Sequence, residues 1–428
     1  MSEQLKPELR FPEFYGDWNE TTFDSHYSFK PTNSLSRDKL NYEAGIVKNI
    51  HYGDIHTEFD LLFDLTEEKV PFINDDVNID NIDDENYVQK GDLVIADASE
   101  DYADIGKAIE VINTNNERLL AGLHSFLARR EDDDVAEGFF AFLLNTYKAR
   151  YEIMRIAQGT KVLGLSKNRL GKIPLYIPEP AEQQKIANFL KAIDKRIKLL
   201  KAKKDALEDY KTSIMQKLFA QEIRFKQDDG TDFPEWEQYR LGEIGSTLNG
   251  LTGKTKDDFG EGQPYIQYMQ IFKNSKIDAS DFGYVNITPD DNQTKIKYGD
   301  ILFTTSSETR EEVGTSSAML EQVENLYLNS FSFGLRLDSF EILIPEFARY
   351  LFRSYDVRKK VVRLGQGSTR YNMSKVAFMK DSVTLPVKEE QIKIAKILSN
   401  ADEKIERISE KIDVLTDFKQ SLLQKLFV

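Results

Sequence analysis

Two short stretches of this sequence carry side chains suited to gripping a polyanion. Thr304-Thr305-Ser306-Ser307, followed by Thr309-Arg310, sets hydroxyls beside a guanidinium just after a predicted strand. Gly367-Ser368-Thr369-Arg370-Tyr371-Asn372, with Ser374-Lys375, has the same character and suits a backbone clamp. Such groups hydrogen-bond phosphates and base edges. Gly159-Thr160-Lys161, continuing to Ser166-Lys167-Asn168-Arg169, is an earlier counterpart of the second stretch. A surface turn capping the next helix would use the same residue types. Recurrence with a cation each time favours binding.

Signals for catalysis are absent. No two prolines are adjacent, so the Asp/Asn-Pro-Pro-aromatic motif of amino-methyltransferases cannot occur. Gly250-Leu-Thr-Gly253-Lys254-Thr255 imitates a phosphate-binding loop, but Leu248 stands where its first glycine belongs. Phe259-Gly-Glu-Gly262 lacks the strand-to-helix context of an adenosylmethionine turn. The four histidines, His26, His51, His56 and His124, form no His-Glu-x-x-His pair, and there is no cysteine. Neither a zinc site nor a disulfide framework is expected, which suits a reducing, cytoplasmic setting. The N-terminus has no apolar signal core, and no run approaches the roughly 18 apolar residues of a membrane span.

The elements that would position these residues occur twice. At an offset of 208 residues Gly91-Asp92 returns as Gly299-Asp300, Gln158-Gly159 as Gln366-Gly367, and Ser166-Lys167 as Ser374-Lys375. Pro178, Glu182-Gln183 and Gln216-Lys217-Leu218-Phe219 return as Pro386, Glu390-Gln391 and Gln424-Lys425-Leu426-Phe427. The alignment runs from Gly91 to Phe219 without a gap. A period this long means two copies of one domain, with divergent content on a shared frame.

Gly91-Asp92-Leu-Val-Ile-Ala and Gly299-Asp300-Ile-Leu-Phe-Thr read as turns feeding buried strands. Phe139 to Tyr151 and Phe347 to Arg358 read as short helices. Each copy is thus a mixed α/β globule, opened by Phe11-Pro12-Glu13 or Phe233-Pro234-Glu235. A long helix follows each. Its apolar stripe reads Ile186, Leu190, Ile193, Ile197, Leu200, Leu207, Ile214, Leu218 in the first copy. In the second it reads Ile394, Leu398, Ala401, Ile405, Ile408, Ile412, Leu415, Leu422, Leu426. This spacing predicts a coiled coil, each helix roughly 57 Å long. The first helix delivers the chain to the second globule. Pairing the two seams therefore makes the helices antiparallel and the globules pseudo-two-fold related; pairing with other subunits is the alternative. Lys204, Lys211 and Lys419 interrupt the stripe, either snorkelling at its edge or setting register.

The predicted fold class is α+β, with globules at 1–178 and 221–386 and helices at 179–220 and 387–428. The formal charge of −15 is uneven. Residues 51–104 hold 17 Asp/Glu against Lys69 and Lys90, whereas residues 185–226 carry a net +7. The acidic block is either a solvated face or a docking face for a basic partner, while local basic patches decide where a polyanion docks.

The doubled signature resembles the DNA-specificity subunit of type I restriction–modification systems. It reads Gln158-Gly159-Thr160…Pro178…Glu182-Gln183…Ile186-Ala187…Leu190, then Gln366-Gly367-Ser368…Pro386…Glu390-Gln391…Ile394-Ala395…Leu398. Arg10-Phe11-Pro12-Glu13-Phe14…Trp18 also looks like that family's opening. The resemblance implies two target-recognition domains, each reading one half of an asymmetric, split duplex-DNA site, and a non-catalytic chain. It implies two methyltransferase subunits bringing S-adenosylmethionine and two motor–nuclease subunits using ATP and magnesium. A scaffold presenting two ligand domains without DNA specificity is the rival, and an enzyme with unrecognised motifs a second.

If the helices set the spacing of half-sites, about one DNA turn apart, inserting one heptad into both should lengthen the tolerated gap and change neither half-sequence. An unchanged gap on methylome sequencing discards the ruler. Replacing residues 1–150 with a relative's should alter one half-site; alteration of both contradicts independent reading.

Overall fold

The computed structural model describes residues 5–132 and 134–428. They form two compact units, one running through Lys201 and including Glu410–Val428, the other Ala202–Ser409. The long helices are Pro180–Phe219 and Lys388–Lys425. Compactness divides each helix between the units, because its two halves are buried by different partners.

In the first unit a five-stranded sheet has the order Tyr27–Lys30, Ser125–Arg130, Leu93–Ala96, Ala108–Asn113, Leu62–Asp64. Leu93–Ala96 is buried at every position, as its uninterrupted apolar run requires. A four-stranded sheet places Arg118–Ala121 parallel to Val47–Ile50. The second unit repeats the plan with Gly245–Asn249, Ser332–Leu337, Ile301–Thr304 and Ser316–Ala318, plus a sheet in which Tyr265–Ile266 runs parallel to Tyr327–Leu328.

The first expected short helix is in fact two, Phe139–Leu143 and Tyr147–Ile156, and the second Pro345–Leu351 and Tyr355–Arg363. The break falls at Thr146 and Ser354. Their hydroxyls donate back to Leu143 O (2.8 Å) and Leu351 O (2.6 Å), ending one helix and opening the next. A second departure concerns the gap-free alignment. Arg129 pairs with Asp92, and Arg336 with Asp300, so strand Ser125–Arg130 matches Ser332–Leu337 at an offset of 207, not 208. One residue is dropped after Ala108–Asn113 and regained by Phe139.

The helix seam divides as the units do. In the first unit Ile186, Leu190, Ile193 and Ile197 share a core with Leu422, Leu426 and Phe427, with Ile412 and Leu415 at its margin. In the second, Leu218 and Ile214 join Ile394 and Leu398. Each unit thus holds the opening half of one helix beside the closing half of the other, an antiparallel pair. Leu207 and Ile405 are only half-buried and join neither core. Of the three lysines, Lys419 meets Asp194 and Lys211 meets Asp402, both at 2.5 Å. The pairs are copies of each other and fix register across the helices. Lys204 lies 3.9 Å from Glu208 on its own helix, at the edge of the stripe.

The repeated signature residues are joints. Glu182 is fully buried and takes Arg10 in two bonds (2.8 and 2.6 Å); Glu390, also fully buried, takes Arg224 (3.2 and 2.8 Å). Gln183 accepts from Ala136 N and donates to Pro178 O, as Gln391 does with Ile344 N and Pro386 O. The closing Leu-Phe of each helix has a receptor too. Phe427 meets Trp18 and Phe139 in the first unit, and Phe219 meets Trp236 and Phe347 in the second. These contacts tie each globule to the start of one helix and the end of the other.

One buried group lacks a copy. Glu110, fully buried, accepts from Gly138 N (2.6 Å) at the start of Phe139–Leu143, where the second unit has Ala318. Burial pushes its carboxyl from 4.5 up to about 7. The folded state therefore holds this proton more tightly than the unfolded chain. Its contribution is full below about pH 4.5 and is lost as pH rises through 7, a span of about 3 kcal/mol. Between those pH values the stability difference between wild type and Glu110→Gln should change by that amount. A pH-independent difference in urea unfolding contradicts it.

Candidate nucleic-acid interface

In the second unit the fold brings the two hydroxyl-rich stretches together. Ser306-Ser307 pairs with Tyr371–Met373, which pairs on its other side with Gly365-Gln366. The turn of this small sheet, Gly367-Ser368-Thr369-Arg370, is exposed throughout. Gly367 makes the turn possible. Its φ is +136°, and a Cβ there would lie 2.0 Å from Arg370 O. Arg370 reaches over the exposed ring of Phe331, its guanidinium carbon 5.8 Å from the centroid. Arg310 is exposed on the neighbouring loop.

The first unit builds the same hairpin. Ala98-Ser99 pairs with Leu163-Gly164, Gln158 bridges to Gly164, and Gly159-Thr160-Lys161-Val162 forms the exposed turn. Gly159 has φ +133°, and a Cβ there would again lie 2.0 Å from a carbonyl, that of Val162. Behind each turn sits a matched lysine over an aromatic floor. Lys167 Nζ is 5.4 Å from the Phe126 ring and 5.9 Å from Phe29, and Lys375 Nζ is 5.6 Å from Phe333. Lys375 also donates to Asn249 Oδ1 (2.7 Å), and burial lowers its pKa. Arg169 is exposed; with the Gln158 amide oxygen turned toward it, both Nη atoms donate to that oxygen at 2.8 and 3.1 Å.

The residues singled out by sequence therefore separate into two groups. Lys161, Arg169, Arg310, Ser368, Thr369 and Arg370 are exposed, and Lys167, Tyr371 and Lys375 are half-buried beneath the hairpins. Thr304, Ser306 and Ser307 are corrections. Thr304 is 0% exposed, and its hydroxyl accepts from Thr315 N (3.0 Å). Ser306 and Ser307 are buried, and Ser307 donates to Glu312 Oε2 (2.8 Å). Thr305 is half-buried, its amide bonded to Phe331 O and its carbonyl to Met373 N. Strand neighbours on both sides turn Thr304 inward, whereas Ser306 and Ser307 lie on the edge strand of the small sheet, where Ser307 braces Glu312 and both line a shallow cavity with Phe331 and Arg370.

The acidic block proves partly internal. Asp92 is buried against Arg129, and Asp54 against Arg37. Asp60 and Glu67 grip Lys198 of the first long helix at 2.8 and 2.7 Å. Sequence reasoning passed over Phe331 and the group Tyr52, His51, His56 and His124. Tyr52 lies 4.7 to 5.9 Å from the three imidazoles, and His56 Nε2 meets Ala98 O of the small sheet at 3.2 Å. The one-residue slip hid the signal: a constant offset aligns His124 with Ser332 instead of Phe331. Among the described residues no helix is long and apolar enough to cross a membrane.

Comparison with known proteins gives concordant results. The sequence profile of the type I restriction modification DNA specificity domain matches residues 64–209 and again 234–417. The MjaX type I restriction enzyme specificity subunit of Methanocaldococcus jannaschii is 31% identical over 216 residues, 49% of either chain. The chain thus spans about half the length of that relative. The EcoKI specificity subunit of Escherichia coli is 22% identical over 311 residues, 70% of this chain and 66% of that one. The crystal structure of a type I restriction–modification S subunit from M. genitalium shares the fold, with a TM-score of 0.59 at 16% identity over 99% of both chains.

Proposed function

The chain belongs to the type I restriction–modification DNA-specificity family, and on that premise we propose that it selects a duplex-DNA target without catalysing a reaction on it. Each unit reads one half of an asymmetric split site through its exposed hairpin. The observation that carries this reading is the pair of hairpins: two glycine turns of the same unusual geometry, over matched lysines, presenting different side chains. Constant backbone with variable tips suits a reader whose frame docks on phosphates while its tips discriminate bases.

The long helices are the platform for two methyltransferase subunits, which bring S-adenosylmethionine; two motor–nuclease subunits add ATP- and magnesium-dependent restriction. No cofactor is assigned to this chain, and the complex works in the cytoplasm. Tyr210 and Phe418, equivalent positions on the two helices, are 53% and 49% exposed, which supports twin docking of identical partners. Partner subunits supply part of the positive charge that a chain of net −15 lacks.

The test is selection from a duplex library randomised in both halves, using this chain assembled with its methyltransferase partner. A gapped, asymmetric consensus is the expected result. Retention without sequence preference discards the reading and returns the chain to a scaffold.

A further inference from the structure

The two hairpins stand beside one backbone place that holds different side chains. The amide of Asp97 donates to His124 O (3.0 Å), and the amide of Thr305 to Phe331 O (2.9 Å). His124 and Phe331 are therefore equivalent, each immediately before the matched strands Ser125–Arg130 and Ser332–Leu337. Both are exposed. In the second unit the place is an aromatic ring carrying the Arg370 guanidinium. In the first unit Val162 stands at the arginine position and an imidazole at the aromatic one. His124 Nδ1 lies 3.5 Å from Asp97 Oδ1, and its ring meets Tyr52 edge-on at 5.2 Å. Tyr52 is held in turn by His51, whose Nδ1 accepts from Gly53 N (3.1 Å) and faces Arg37, itself bonded to Asp54.

We propose that this place is the base-discriminating position of each unit: Arg370, braced on Phe331, reads a guanine, and His124, braced by Asp97 and Tyr52, reads a base bearing an exocyclic amino group. The proposal rests on the DNA-specificity reading and names the residues that execute it. Arg370 presents a planar fork that matches guanine O6 and N7, and the ring beneath it holds that plane without consuming its donors. A lysine has the charge but not the fork. His124 has Asp97 beside Nδ1. A proton kept on that nitrogen leaves Nε2 as an acceptor, suited to adenine N6 or cytosine N4 in the major groove. Val162 offers no competing donor at the turn. The units would thus differ in base preference for a reason confined to two side-chain positions.

The experiment uses the full chain assembled with its methyltransferase partner and the doubly randomised duplex library. Arg370→Lys should keep non-specific affinity and its salt dependence, yet lose roughly 5- to 150-fold of discrimination for guanine at one position of one half-site. His124→Ala should lose discrimination by a similar factor at one position of the other half-site. Preference intact in both variants overturns the proposal while the wild-type consensus keeps the broader reading. Preference lost across a whole half-site also overturns it, marking a merely structural role. A wild-type complex that selects no sequence sinks both together.

Discussion

Replacing Gly367 by alanine is expected to weaken binding to one half-site by roughly 10- to 100-fold while leaving the stability of its unit almost unchanged. The backbone there has φ +136°, a region alanine occupies only with strain of about 1–3 kcal/mol, and the new Cβ would lie 2.0 Å from the Arg370 carbonyl oxygen. The turn must open to relieve the clash, carrying Ser368, Thr369 and Arg370 away from their places. All three are exposed, so the core does not register the change. Gly159→Ala should do the same to the other half-site, because Gly159 meets Val162 O at the same 2.0 Å. Binding of the assembled complex to duplexes altered in one half, with a thermal melt of each variant, separates the outcomes. Equal losses at both half-sites, or a loss that accompanies a large drop in melting temperature, contradicts the assignment of the hairpins.

A larger effect on stability is expected from Glu390→Ala. Glu390 is fully buried and accepts from Arg224 Nε and Nη2 and from Trp236 Nε1 (3.2 Å). Truncation takes the carboxylate from a half-buried guanidinium, which keeps Phe233 O, Pro234 O and Glu235, and leaves the Trp236 indole N–H without its acceptor. Because the guanidinium keeps other acceptors, the loss is that of charged hydrogen bonds rather than of a whole buried pair, about 2–3 kcal/mol. For a unit of this size the melting temperature should fall by roughly 5 °C or more. Replacing both partners by apolar residues, Arg224→Met with Glu390→Leu, should recover much of the loss, because no unpaired charge remains. A double-mutant cycle reads the coupling directly. A Glu390→Ala variant within about 1 kcal/mol of wild type would show that the joint between opening segment and helix is not held by this pair.

Those joints explain why so much was legible in one sequence. Glu182-Gln183 and Glu390-Gln391 recur because each glutamine must satisfy fixed backbone groups, Ala136 N and Pro178 O or Ile344 N and Pro386 O, and each glutamate must take the arginine of the opening segment. The closing Leu-Phe recurs because each phenylalanine enters a Trp–Phe receptor. Repetition exposes such residues whatever their neighbours do. The buried strands were legible from their apolar runs, and the long helices from a stripe in which Lys211 and Lys419 each face a partner aspartate.

What the sequence determined by itself was therefore the duplication, the helices with their antiparallel sense, and the recurring glycine turn at Gly159 or Gly367. Each follows from local chemistry or from repetition along the chain. The tertiary structure alone decided which hydroxyls face inward, since Thr304 is enclosed by strand neighbours on both sides and Ser306 and Ser307 are buried on the edge of the small sheet. It also decided that His124 and Phe331 share one place. Their equivalence is a backbone hydrogen bond between distant strands, displaced by one residue from the linear repeat, and spacing along a chain carries no record of such a bond.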